Sequence, residues 1–228
     1  AVAVDQRQGW LSPPLPLEWQ RADAAPSDHA PLGIGLELFD IRERPLVGRI
    51  EERSALWGAL REVYETSSAR AVVLSGPAGV GKSRLARWIA ERSHEVGAVN
   101  VLRARHSEVD EGRRVLGRMV SEYLRCEDVE REDVASVLES WWHDETPTGS
   151  ARANIDTLAQ MIEGAASSDE STASARLSAL NQFIELISQE RPVIVNLEDV
   201  HWSPESLQWV SEVLHGPLSD VLPVLFIM

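Results

Sequence analysis

The chain has 228 residues, 43% hydrophobic and 25% charged, enough for one domain with a buried core. Acidic residues outnumber basic ones 36 to 22, for a net charge of −14, and such a surface repels phosphate backbones, which argues against nucleic-acid binding by this segment. A single cysteine, Cys126, excludes an internal disulfide framework, and no apolar run approaches the ~20 residues of a membrane helix.

Residues 1–44 read as a Pro-rich linker or tail. Pro13, Pro14, Pro16, Pro26 and Pro31 break regular structure, and Trp10, Leu11, Leu15, Leu17 and Trp19 follow no clear period. The composition favours a flexible tether over a tail docked on a neighbouring domain. No charged region precedes an apolar stretch, so no signal peptide is read, and the cytoplasm is the expected compartment.

From Pro45 the pattern changes. Residues 51–65 predict a helix, with Leu56, Ala59, Leu60, Val63 and Tyr64 on one face. Ala71 to Leu74 is a short apolar run of the kind buried on both faces of a sheet. A glycine-rich turn follows, then a helix over 82–96 with Leu85, Ile89 and Trp88 facing inward, then a second strand over 98–102. This βαβ unit implies a parallel sheet.

Residues 113–189 are mainly helical in pattern, with helices near 113–125, 131–142, 152–165 and 174–189 and a loop over 164–174. Residues 193–197 form the third strand. Ser203 suits a helix N-cap and Pro204 the first helical position, with Leu207, Val210 and Leu214 on one face. The run 221–228 reads as a fourth strand. Because it ends the chain, and Ala1 opens it, the sequence reads as a fragment.

Gly76-Pro77-Ala78-Gly79-Val80-Gly81-Lys82-Ser83 fits the pattern G-x-x-x-x-G-K-S/T between a predicted strand and a predicted helix. Glycines let the backbone curl without Cβ clashes, so successive N–H groups point inward at anionic oxygens. The helix N-terminus adds positive partial charge. Lys82 would neutralise phosphate, and the Ser83 hydroxyl suits a Mg²⁺ shell. Of 22 basic residues, Lys82 alone is lysine, consistent with a position that needs a compact ammonium. Arg84 and Arg87 on the same helix read as a solvated face.

A carboxylate ending a buried strand would complete such a site at the carboxyl edge of the sheet. Glu198 and Asp199 stand there, and adjacent strand residues point to opposite faces, so the two differ in role. One would hold Mg²⁺ and the other would orient or deprotonate water; the order is open. Asn196 interrupts the apolar strand. His201 either senses a terminal phosphate or packs and caps the next helix, and Trp202 reads as packing. Trp141 and Trp142 read as core with partial exposure. His106, Glu108 and Asp110 read as loop residues.

Pro45-Leu46-Val47-Gly48-Arg49-Ile50-Glu51-Glu52, then the phosphate loop, then Leu197-Glu198-Asp199-Val200-His201-Trp202, resemble the AAA/STAND group of P-loop NTPases over residues 45–228. More closely they resemble the Orc-like AAA modules of large bacterial regulators linked to Ser/Thr kinase, adenylate cyclase or LuxR-type domains. The resemblance implies an α/β fold with a parallel sheet sandwiched by helices, a helical insertion at about 113–189 between strands two and three, and truncation after strand four. It implies ATP and Mg²⁺ as cofactors, with Val47, Gly48 and Arg49 beside the adenine. Gly76, Pro77, Ala78, Gly79, Val80, Gly81, Lys82 and Ser83 would bind phosphate. Glu198 and Asp199 would form the metal and water site. A sensor residue, a fifth strand and a helical lid would lie beyond Met228, leaving a sheet edge open beside the phosphate-loop strand. The implied partners are neighbouring domains of a longer polypeptide and other copies of the chain. Two functions fit: a nucleotide switch with ATPase activity in the whole protein, weak in this piece, or a scaffold that holds nucleotide without turnover.

Overall fold

The computed structural model describes residues 14–20, 46–109, 112–126, 131–141, 149–164 and 170–228. Helix α1 spans Ile50–Thr66, strand β1 Arg70–Val72, α2 Lys82–Glu95 and β2 Asn100–Arg105. Four helices follow: α3 (Gly112–Leu124), α4 (Arg131–Trp141), α5 (Ser150–Ile162) and α6 (Glu170–Ser188). Then come β3 (Val193–Glu198), a 3₁₀ turn (Val200–Trp202), α7 (Pro204–His215) and β4 (Val224–Ile227). Asp110 and Trp142 lie outside the described residues.

The four strands pair in the order β1-β4-β3-β2, all parallel. Alternation along each strand sorts side chains into two layers. Val101, Ile194, Leu225 and Ile227 pack with Leu56, Leu60, Val63, Leu85 and Ile89 of α1 and α2. Leu102, Val195, Leu197, Val224 and Phe226 pack with α3 to α7. The result is an α/β/α sandwich in which the predicted insertion, α3–α6, covers one face between β2 and β3.

Four expectations change. The run Ala71–Leu74 is not a strand buried on both faces. β1 is three residues long and half-buried, stands at an edge among the described residues, and leads into Val73, which is 68% exposed. Its pairing with β4 continues through Leu74 N–H to Met228 O, at 2.6 Å. The second strand lies two to three residues later than predicted, because Ala98 and Val99, though buried, precede the ladder. In α7 the buried face carries Ser206, Trp209, Val210 and Val213, while Leu207 is exposed. Trp209 takes the inward position because its indole N–H donates to Asn181 Oδ1 at 2.8 Å and its ring meets Phe226 edge-on. The region read as a loop over 164–174 is shorter, since α6 already begins at Glu170.

Within the Pro-rich segment, residues 14–20 lie on α1 and α2. Leu15 and Trp19 join that core, Pro16 O accepts from Trp57 Nε1 at 2.9 Å, and Trp19 O accepts from Arg92 Nε at 2.9 Å. The Arg53 guanidinium sits 3.8 Å over the Trp19 ring and 4.5 Å from Trp88, a cation–π arrangement between two aromatic rings. Burial first, and the nearby Arg92 charge second, pull the Arg53 pKa below its ordinary value.

Candidate functional site

Parallel strands place their carboxyl ends at one edge of the sheet. There β1 runs into the phosphate loop and β3 into the acidic pair. The loop backbone is left-handed at Gly79 (φ 80°) and Gly81 (φ 93°), where an added Cβ would meet nothing within 4 Å but the backbone would be strained. Gly81 begins α2 and its carbonyl accepts from Leu85 N–H at 3.0 Å. Lys82 folds across its own loop, with Nζ donating to Gly76 O at 2.8 Å and Pro77 O at 2.9 Å. Ser83 and Arg84 are exposed.

The segment before α1 reaches the same loop. Gly48 and Arg49 are both left-handed, at φ 75° and 55°, which turns the chain sharply into α1. Arg49 then donates to Val80 O at 2.7 Å and to Glu52 Oε1 at 2.7 Å, and this hydrogen bond holds the Glu52 carboxyl below its ordinary pKa. Arg53 Nη1 donates to Leu46 O and Gly48 O, both at 3.3 Å. Val47 is exposed.

At the other half of the site, strand alternation settles which face Glu198 takes. Val193, Val195 and Leu197 point to the α3–α7 layer and Ile194 to the α1/α2 layer. Glu198 therefore shares the face of α2, the helix that carries Lys82 and Ser83. Asn196 lies on that face too. It is 2% exposed, and its amide nitrogen has no hydrogen-bond partner among the described residues. Asp199 leaves the strand in the left-handed region (φ 53°), and its carbonyl accepts from Trp202 N–H at 3.1 Å to close the 3₁₀ turn. Asp199 lines a cavity of about 440 Å³ with Arg105, His106, Arg118 and Trp202.

Sequence reasoning missed His106. It does stand in the loop just past β2, but it is 2% exposed, with ring nitrogens on Glu198 O and Ser206 Oγ. The available signal was polarity directly after an apolar strand, which does not separate a buried histidine from an exposed one. Trp202, read as packing, is 44% exposed, its ring tilted against that of His201 at 4.8 Å between centroids, and His201 is exposed too. Trp141 packs beside Tyr123, as core with partial exposure. Ser203 does cap α7, its hydroxyl accepting from Ser206 N–H at 3.2 Å.

The donor set suits a nucleotide with Mg²⁺. A left-handed glycine cradle at the start of α2 presents N–H groups and an ammonium, which match phosphate oxygens. One hydroxyl and two carboxylates are hard oxygen ligands, of the kind Mg²⁺ takes in small number while phosphates and water complete its shell. No group of three or more His, Cys, Asp or Glu among the described residues forms an all-protein metal cage. No helix among the described residues is long and apolar enough to cross a membrane.

Residues 45–227 match the family model described as AAA ATPase domain. No curated protein and no solved structure matches the chain.

Proposed function

This chain belongs to the AAA ATPase domain family, and on that premise we propose that it is an ATP-binding, Mg²⁺-dependent nucleotide switch within a multidomain signalling protein. The observation that carries the reading is the shared sheet edge. An intact glycine cradle leads into α2, whose first residue is its lysine, and Glu198 ends the strand on that helix's face.

The chain's own residues divide the work. Loop N–H groups and Lys82 hold the phosphates, so Lys82 exchanges its carbonyl partners Gly76 O and Pro77 O for anionic oxygens. Ser83 and Glu198 would hold Mg²⁺, which supplies charge neutralisation at the phosphates. Asp199, exposed on the adjoining turn, would orient water. Val47, Gly48 and Arg49 would border the adenine, and Arg49 already ties that segment to the loop at Val80. Nucleotide state would then be felt at α1 through Arg49 and Arg53 and passed to neighbouring domains or further copies of the chain.

The test is calorimetric titration with ATP, ADP and GTP in Mg²⁺, comparing the chain with Lys82→Ala. Saturable adenine-nucleotide binding that weakens by about 2–5 kcal/mol in the variant is the expected result. No binding by a folded wild-type chain overturns the proposal. Binding without any turnover in a longer polypeptide replaces the switch by a nucleotide-held scaffold.

A further inference from the structure

We infer that His106 is a positioning residue for the acidic end of β3, acting through the peptide between Glu198 and Asp199. The inference rests on the nucleotide reading above, and it assigns a role to a residue that touches no part of the proposed ligand.

Two donors from His106 converge on one acceptor. Its backbone N–H lies 3.0 Å from Glu198 O, and its ring Nδ1 lies 2.9 Å from the same oxygen. The first bond is the next rung of the β2–β3 ladder, which any residue there would make. The second is an addition that only the side chain supplies, and it occupies the carbonyl's other lone pair.

A carbonyl oxygen only accepts, so Nδ1 carries the proton, and in the neutral ring Nε2 is the acceptor. Ser206 Oγ, 2.9 Å from Nε2, donates to it. Ser203 Oγ donates to Ser206 Oγ at 2.9 Å and itself accepts from Ser206 N–H. Both serines are fully buried. The relay runs in one direction from the start of α7, through the ring, to the end of β3, and it locks the tautomer and the ring plane.

What is locked matters for the carboxylates on either side. The Glu198 carbonyl belongs to the peptide whose rotation sets φ of Asp199. Asp199 is left-handed at φ 53°, a conformation that residues other than glycine adopt uncommonly. Two hydrogen bonds on that peptide hold it there and fix the exit angles of both carboxylates. Partners of this outer kind typically govern metal affinity by roughly 10- to 100-fold.

Two variants separate positioning from packing. His106→Asn puts an amide donor near the place of Nδ1, keeping the bond to Glu198 O and giving up Ser206. His106→Gln reaches toward the place of Nε2, keeping Ser206 and giving up Glu198 O. For each, the affinity for the non-hydrolysable ATP analogue AMP-PNP is measured in EDTA and in saturating Mg²⁺, with the melting temperature of the unliganded chain. The ratio of the two affinities reports the metal and needs no turnover.

The expected result is a ratio lowered roughly tenfold or more in His106→Gln, near wild type in His106→Asn, and an EDTA affinity unchanged in both. Equal ratios in wild type and both variants, with only the melting temperature moved, overturn the inference while leaving the nucleotide reading intact. A wild-type chain that binds no analogue in either buffer overturns that reading and this inference together. Should His106→Gln not fold, His106→Ala carries the same test, because it keeps the backbone rung to Glu198 O and removes the ring bond; an unchanged ratio there overturns the inference.

Discussion

The phosphate loop and the acidic strand end lie at one edge of one sheet, but they are held in opposite ways. The loop is held mainly from within: its lysine bonds to carbonyls five and six residues away, its shape comes from glycines inside it, and Arg49 adds one bond from outside, to Val80 O. The strand end is held remotely, by a histidine 92 residues earlier in the chain and by serines on the following helix. A phosphate cradle uses backbone groups, which a short sequence can arrange alone. Carboxylates that differ in role must be aimed separately, and aiming needs partners outside the strand.

Substitutions can break this contrast. The largest effect is expected at the remote half. Glu205 near the start of α7 pairs with the buried Arg176 of α6, whose Nη2 and Nε lie 2.7 and 2.9 Å from one carboxylate oxygen. Glu205→Ala takes the carboxylate partner from a buried guanidinium and is expected to cost about 3 kcal/mol in denaturant unfolding. Nucleotide affinity in EDTA should not change, because the loop does not lean on α7.

Next is Gly117, where α3 crosses α5. A Cβ there would lie 2.0 Å from Met161 O, so Gly117→Ala must push the two helices apart, at about 1–3 kcal/mol of unfolding free energy. A loop substitution should behave in the reverse sense. Gly79→Ala meets open space but must hold φ 80°, so it is expected to cost about 1 kcal/mol and to weaken phosphate binding more than it lowers the melting temperature. If Gly117→Ala alters EDTA affinity as strongly as Gly79→Ala, the loop is not locally held.

The smallest effect concerns pH. His94, in the last turn of α2, has its pKa lowered below 6.5 by burial first and by the Arg191 charge second. Between the folded and unfolded values the unfolded chain binds more protons, so stability is full above about pH 6.5 and falls as pH drops below it. His94→Gln should flatten that slope, measured as melting temperature between pH 5 and 8.

The same contrast explains what could be read in the sequence. The phosphate loop was legible because its determinants are contiguous. So were the helices, whose apolar spacing is local, and the Ser203-Pro204 start of α7. The neighbours of a strand are not local. Ala71 to Leu74 has the apolarity of a central strand, yet β1 pairs with β4 alone among the described residues. Nor did the acidic pair disclose that Glu198 shares the face of α2, since that follows from a register fixed by β2 and β4. His106 escaped because its meaning depends on Glu198 O and Ser206 Oγ, both distant in sequence. For the same reason Trp19 read as a stray aromatic in a tether. Its place is set by Arg53 and Trp88 on two helices that come later.

That last contact has a mechanical consequence. A pull on the chain ahead of Pro14 meets the Trp19–Arg53–Trp88 stack and the Trp57 and Arg92 hydrogen bonds before it reaches Leu46. The stack therefore works as a strain relief, as a clamp does on a cable. Load from the N-terminal side is delivered to the flanks of α1 and α2, and the turn at Gly48 and Arg49 is spared until the clamp lets go.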